Sequence, residues 1–489
     1  MSTQRVRKST RQETASSSEN NDLLVIVLAI CTAIALVVVV PTLILIQPNV
    51  GRSKGWMITG IILLISGIRI VFLIYKGERR LFEFIFWLFS YVFFGLAPTT
   101  QIRLDEMSTT TKALDPALDT PTALFALFGI VAFALGFQIS RRMRSATHRA
   151  PSTWSISIPR LVILSFVSVA ASLYYVAKTG ISVQFSSRAE ISDVLTELWP
   201  EPSTAAMIGA ASAFPILIAA HGWWEVSRQS PKNKGTLSVL AAVLTAMSLF
   251  ITNPISSARY HFGVVWGSFL GTLGAYRTRK GTSLTLVGII FGLLFVFPIA
   301  DMFRRKNVVA SARSGFLDEY AGNGDYDAFG QLSNALLFND TEPLAFGRQM
   351  MGSLLFWVPR SIWPDKATGT GVLLAESRGY NFTNLSAPIW AELLLNFGLI
   401  GAVIASVFIG ILLGRLDNRF IASHEPGVDS IVASVLPFYL LILMRGSLLQ
   451  ATGILVVIIF SILFIGGKRS GHKKHRHRPG TYLRHDYLR

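Results

Sequence analysis

Twelve stretches of this chain are apolar over about the 20 residues that a helix needs to cross the hydrocarbon core of a bilayer. They run roughly over 23–46, 56–75, 81–98, 122–140, 159–177, 204–223, 236–252, 260–276, 283–303, 389–414, 430–444 and 447–466. The seventh, eighth and eleventh are the shortest. The composition agrees: 51% of the 489 residues are hydrophobic and only 15% charged, against about 25% charged in an average globular protein. Mean hydropathy is +0.49. A water-soluble globule is excluded. The expected fold is all-α, a polytopic transmembrane helix bundle of about 12 spans, with one large extracytoplasmic loop between the ninth and tenth. The first stretch is too long for a signal peptide and lacks a small-residue cleavage site after it. The lone Cys31 lies inside an apolar run, so no disulfide within the chain and no cysteine metal site is expected.

The formal charge of +17 invites a nucleic-acid reading, but the placement of the cations argues otherwise. With the amino terminus in the cytoplasm, the inward segments hold Arg5, Arg7, Lys8 and Arg11, then Lys76, Arg79 and Arg80, then Arg141, Arg142, Arg144, Arg149 and Arg160. Arg228, Lys232, Lys234, Arg277, Arg279, Lys280, Arg415, Arg419 and the basic carboxy-terminal tail fall on the same side. The short outward loops carry far fewer. This bias orients membrane helices and favours an even number of spans with both termini cytoplasmic. The organisation expected is a basic tail over 1–22, spans over 23–303, an extracytoplasmic loop over 304–388, three spans over 389–466 and a polybasic tail over 467–489. No internal repeat is visible, which weakens a transporter built from duplicated halves.

Ionisable residues inside the spans are functional candidates by default, and they are few. Arg69 and Glu83 lie near one surface on adjacent spans and are expected to pair; His221 and Glu225 read as boundary residues. The outward segments are richer. Arg304, Arg305 and Lys306 follow the ninth span, where the orientation rule disfavours cations, and suit capture of a phosphate at headgroup level. Arg259 follows the polar stretch N-P-I-S-S-A, and His261 beside it is the only outward histidine. The tract G-N-G-D-Y-D (322–327) lacks the remaining ligands of a calcium loop and reads as a turn. The apolar stretch from Met350 to Pro359 suits an interfacial helix. Pro359 and Pro364 pin a turn that presents Arg360 and Lys366 between Trp357 and Trp363, a setting for sugar stacking beside phosphate pairing. Glu392 and Asn396, four residues apart, share a face near the outer end of the tenth span.

In these residues the chain resembles the oligosaccharide repeat-unit polymerases, the Wzy or O-antigen polymerase family. The likeness rests on P-R-S-I-W-P-D-K (359–366) in a large outer loop, A-E-L-L-L-N-F-G-L-I-G (391–401) opening the next span, and the small-residue–Arg element at Ser256–Arg259. It covers about residues 250–415. An Arg followed eleven positions later by Gly, found in some members, occurs here at Arg313–Gly324 and Arg360–Gly371. With 39 glycines in the chain, that spacing carries little weight. The resemblance implies an inverting, metal-independent, cofactor-free transfer of a glycan from one polyprenyl diphosphate onto another lipid-linked repeat unit, at the outer face of a bacterial cytoplasmic membrane. Fixed cations would stabilise the leaving diphosphate: Arg360, Arg259 and Arg313, with Arg304, Arg305 and Lys366. Glu392, Asp365 or His261 would serve as the base. Trp357 and Trp363 would stack sugars. The partners implied are polyprenyl-diphosphate-linked oligosaccharides, the lipid bilayer, a chain-length regulator and a flippase, with no nucleic acid.

Two other readings compete. A flippase or exporter of lipid-linked glycans would account for the cations but not for the large loop. An O-antigen ligase-like transferase is expected to carry a loop histidine, and 304–388 has none.

Overall fold

The computed structural model describes residues 22–111, 113–144, 154–296, 298, 316–383, 385–422 and 427–467. Arg304, Arg305 and Arg313 lie outside them, as do Asp301, Lys306 and both basic tails. The described chain is an all-α bundle of seventeen helices. The long ones are α1 (Asp22–Ile46), α2 (Gly55–Lys76), α3 (Leu81–Leu104), α4 (Pro116–Met143) and α5 (Ile158–Thr179). After the short α6 (Arg188–Leu198) come α7 (Thr204–Gln229), α8 (Pro231–Ile251), α9 (Arg259–Thr272) and α10 (Arg279–Val296). Four short helices follow: α11 (Phe316–Gly322), α12 (Ala328–Thr341), α13 (Arg348–Leu354) and α14 (Thr370–Ser377). The chain returns through α15 (Ile389–Ile421), α16 (Val428–Arg445) and α17 (Leu448–Ile465).

Eleven of these are long and apolar enough to cross a membrane. The eighth expected span, 260–276, is the exception. Its helix α9 stops at Thr272, because Gly274 takes a left-handed conformation and turns the chain. At 1.5 Å per residue, the 14 residues of α9 give about 21 Å, short of a full span. Both described ends lie at one end of the bundle. Arg279 pairs with Asp22 at 2.6 Å, and Ser155–Ile156 pairs antiparallel with Gly466–Gly467. This is the terminal face; the opposite end, which carries α11–α14, is the loop face.

A helix that is hydrophobic all round must be buried, and α3 is. Every residue from Leu81 to Arg103 is buried. Phe86, Phe94 and Phe133 close on Trp390 of α15, with ring centroids 4.9–6.4 Å from the indole. Gly129 makes room for that indole, since a Cβ there would sit 2.3 Å from Trp390 Nε1. Further along the same seam Gly136 and Gly410 let α4 and α15 touch backbone to backbone: a Cβ on either would come within 2.3 Å of a carbonyl of the other helix. Small residues at such contacts are what membrane helices use, since lipid offers no hydrophobic drive to pack. Wide turns replace ordinary helix at Ile34–Val39 and Ser90–Leu96, just ahead of Pro41 and Pro98. A proline cannot donate and crowds the preceding turn, and a local π stretch absorbs that defect.

The segment between α10 and α15 does not hang from the bundle. The amino-terminal half of α12, Ala328 to Ala335, is wholly buried, and Thr122 of α4 donates to Ser333 at 2.9 Å. The interfacial helix expected over Met350–Pro359 is shorter and earlier, ending at Leu354. The chain then coils through the proline-pinned stretch. α15 is not continuous either: Gly398 is non-helical, with φ 69°. The break frees polar groups that lipid could not satisfy. The loop supplies partners, with Ala345 N–H donating to Leu395 O at 2.9 Å and Met350 N–H to Asn396 Oδ1 at 3.3 Å.

The α4–α15 seam yields the first prediction. Gly410→Val forces its new methyl groups into Phe133 O and should cost about 1–3 kcal/mol of overpacking. The expected outcome is a melting temperature several degrees lower for the detergent-purified protein by tryptophan fluorescence. An unchanged midpoint would refute the close approach.

Candidate functional site

The loop face gathers its charges at two stations. The first is an ion cluster. Arg259, the first residue of α9, pairs with Asp325 Oδ2 at 2.6 Å. Arg445, the last residue of α16, reaches Asp327 Oδ1 at 3.2 Å and Asp325 Oδ1 at 3.8 Å. Its Nε also donates to Asp325 O at 3.0 Å, and its guanidinium stacks 5.0 Å from the Tyr260 ring centre. Asp327 is buried, and its other oxygen accepts from Thr110 Oγ1 at 3.2 Å and Ser386 N–H at 3.3 Å. The acids are positioned by the G-N-G-D-Y-D tract. It forms a 3₁₀ turn over Gly324–Tyr326, with the Asn323 side chain accepting from Asp325 N–H. Gln101 of α3 holds that turn from below by donating to Tyr320 O and Tyr326 O. Burial pushes both phenols above their ordinary range, so they stay neutral. Two arginines face two aspartates, and the cluster balances.

An apolar groove of about 410 Å³ opens from this cluster toward the middle of the bundle. Ile85, Leu88, Phe262, Trp266, Leu293 and Phe438 line it, and Arg259 and Tyr260 stand at its loop-face end. His261 lies edge-on to Phe214, ring centroids 5.5 Å apart.

The second station is the proline-pinned turn. Arg360 donates to Lys366 O at 2.8 Å and Ala367 O at 3.4 Å. Lys366 Nζ donates to Phe356 O at 2.5 Å and Val358 O at 3.0 Å. Among the described residues neither cation has a carboxylate partner. Partial burial, and then the neighbouring Arg360, hold the Lys366 ammonium below its ordinary value. Asp365 is exposed in the same turn; Trp357 is exposed and Trp363 half-buried.

Glu392 lies apart from these cations. It is buried at the start of α15 and accepts from Thr370 Oγ1 at 2.7 Å and Leu448 N–H at 2.8 Å. It thus ties α14 and α17 to α15. Asn396 donates to the Glu392 carbonyl at 2.7 Å. The structure therefore brings Arg360, Lys366, Asp365 and the two tryptophans into one turn, and places Arg259 and His261 on a separate helix. Residues 445–448 connect the ion cluster with Glu392, since Arg445 serves the first and Leu448 the second.

Sequence reasoning missed Arg445, Asp325 and Asp327 as a unit. A cation at the outer end of a span and two acids in one turn were visible, but the residues are about 120 positions apart. The expected pair at the other face is present. Arg69 Nη2 meets Glu83 Oε1 at 2.8 Å, and Arg141 bonds the other oxygen. His221, expected at a boundary, is buried and bonded to Ser268 and Thr272.

The fold defines a multi-pass membrane protein whose loop face combines matched and unmatched cations with an apolar groove. No family model, curated protein or solved structure matches the chain.

The two stations should respond differently to truncation. Arg445→Ala leaves Asp327 buried beside a single hydroxyl and one amide, and removing one partner of a buried pair costs about 3–5 kcal/mol. Arg360→Ala removes only hydrogen bonds to the main-chain carbonyls of Lys366 and Ala367 and strands no buried charge. Thermal melts of both variants should show a large fall for the first and little change for the second. Equal falls would contradict this division.

Proposed function

We propose that the chain is a membrane glycosyltransferase that polymerises polyprenyl-diphosphate-linked oligosaccharide repeat units at the outer face of a bacterial cytoplasmic membrane. One observation carries the reading: the loop face bears the Arg360–Lys366 turn, whose cations meet only main-chain carbonyls among the described residues, and it also holds an apolar groove with Arg259 and Tyr260 at its end. A lipid-linked diphosphate has these two requirements together, hydrocarbon surface for the chain and forked donors for the phosphates. Two such substrates meet in a polymerisation, and the face offers two stations.

In this reading the acceptor sugar hydroxyl attacks the anomeric carbon of the donor glycan. The carbon–oxygen bond to the diphosphate breaks, and the bonding pair leaves with the polyprenyl diphosphate. Arg360 and Lys366 exchange their carbonyl partners for phosphate oxygens as that charge develops. They do so without first breaking an ion pair. Asp365, exposed in the same turn, is best placed to receive the hydroxyl proton. Trp357 offers the sugar an exposed stacking face. Glu392 holds three helices together beneath the site, and its acceptor oxygens are already engaged.

The test is the glycan ladder of cells lacking the gene. A polymerase's loss should leave surface glycan bearing one repeat unit and remove longer chains. Loss of single units too, with carrier-linked repeats trapped inside, would establish a flippase instead. Complementation with Arg360→Ala should restore normal protein level and no chain extension; a wild-type ladder would sink the assignment. Because side-chain cations carry the diphosphate charge here, extension by purified membranes should survive EDTA, and its abolition would count against the mechanism.

A further inference from the structure

The terminal face holds a polar cavity that the loop-face chemistry does not use. Its volume is about 320 Å³, on the order of ten water molecules by liquid volume. Arg79, in the turn between α2 and α3, lines it. Arg228, Tyr276, Arg277 and Arg279 stand around it, with the acids Glu78 and Glu225. Both acids are already engaged: Glu78 accepts from Arg80 at 2.8 Å, and within the cavity wall Glu225 pairs with Arg228 and accepts from Gly427 N–H and Ser430 Oγ. Arg279 is paired with Asp22. Arg79 and Arg277 have no carboxylate within ion-pairing distance among the described residues.

Arg79 is the unusual member. One Nη donates to Ser434 Oγ at 3.3 Å and the guanidinium stacks 5.3 Å from the Tyr276 ring centre. Its Nε, however, is buried with no hydrogen-bond partner among the described residues, and so is the Tyr276 hydroxyl. Burial lowers the Arg79 pKa from its ordinary value, against the opposing pull of Tyr276, Glu225 and Asp417. An orphaned donor on a buried cation costs about 1–3 kcal/mol or more, and native proteins leave few of them. Gly271 keeps the space open: a Cβ there would sit 2.3 Å from Ser434 Oγ and 3.7 Å from the guanidinium.

We propose that this cavity is a binding site for a phosphate or diphosphate group, with Arg79 as its anchor, Tyr276 as a second donor and Arg277 at its mouth. A phosphate's several oxygens suit donors converging from separate chain segments, and guanidinium groups match them in pairs. Walls of Phe420 and Ile421 place the site at the edge of the bundle's apolar zone. Basic pockets between membrane helices at such a level take phosphorylated headgroups, and a soluble phosphate ester would meet the same donors. The site is independent of the polymerase reading, since none of its residues contributes to the loop face.

The test uses the full-length protein in neutral detergent. Binding of inorganic phosphate and pyrophosphate is measured by calorimetry, and that of phosphatidylglycerol and phosphatidylcholine by native mass spectrometry. At least one anionic probe should bind, more weakly as salt rises. Arg79→Gln should weaken it about tenfold and Arg277→Gln about threefold, as losing charge-assisted bonds implies. Arg277 is exposed, so Arg277→Gln should keep the wild-type melting temperature, and Tyr276→Phe gives a second probe that leaves the cations intact. Retention of phosphatidylglycerol alone identifies a headgroup; pyrophosphate or phosphate binding identifies a soluble ligand. No binding of any anionic probe, equal retention of phosphatidylcholine, or variants that bind like wild type would overturn the proposal.

Discussion

The packing of Trp390 against Gly129 and the phenylalanines of α3 fixes the rest of the molecule. The indole can lie there only because position 129 has no side chain, and the contact sets how α15 approaches α3 and α4. Once α15 is in place, Gly136 and Gly410 bring its backbone against α4. Glu392, two residues beyond Trp390, is carried to the point where α14 and α17 begin. The polar groups of the loop face are thus placed by an apolar contact. The order is physically sensible: aromatic burial removes a large apolar area from solvent, whereas the hydrogen bonds that follow demand position but return little net free energy.

The segment between α10 and α15 shows the same economy. In a bilayer-embedded fold, irregular backbone is tolerated only where protein or a wet cavity satisfies it. Here the segment buries Phe329, Leu332 and Ala335 against the bundle and supplies the N–H groups that repair the break at Gly398. The loop face is consequently rigid where Arg259, Arg445 and the two aspartates meet. It is open at the proline-pinned turn, where Arg360, Asp365 and Trp357 are exposed.

Much of the architecture was legible because the relevant signal is local. Twenty apolar residues make a span whatever their neighbours, and Arg69 with Glu83 could be paired because two apolar stretches in sequence are adjacent in space. The failures have one cause. The end of α9 depends on Gly274 adopting a left-handed conformation, and α13 stops short because the following residues pack on α17 instead of continuing along the surface. The Arg445–Asp327 bond joins residues that nothing local connects. Asp325 and Asp327 in particular look like turn acids, as they are; what makes them more is the arrival of two arginines from α9 and α16. Local pattern gives the helices, and only tertiary contact gives the charges their meaning.

That distinction reshapes the meaning of the basic composition. A net charge of +17 says nothing about where a cation is available, because a cation in a low-dielectric setting is either matched or costly. Arg69 and Arg141 share Glu83, Arg419 meets Asp429, and Arg259 and Arg445 share two aspartates. Subtracting those matched pairs leaves Arg360 with Lys366 at one face and Arg79 with Arg277 at the other among the residues considered at the two sites. Arg360 and Lys366 rest on main-chain carbonyls, which a phosphate can displace without stranding a carboxylate. Arg79 keeps a donor that meets no acceptor among the described residues. A matched arginine holds helices together and would resist release by any ligand. An arginine without an acid is free to exchange partners, and exchange is what binding requires.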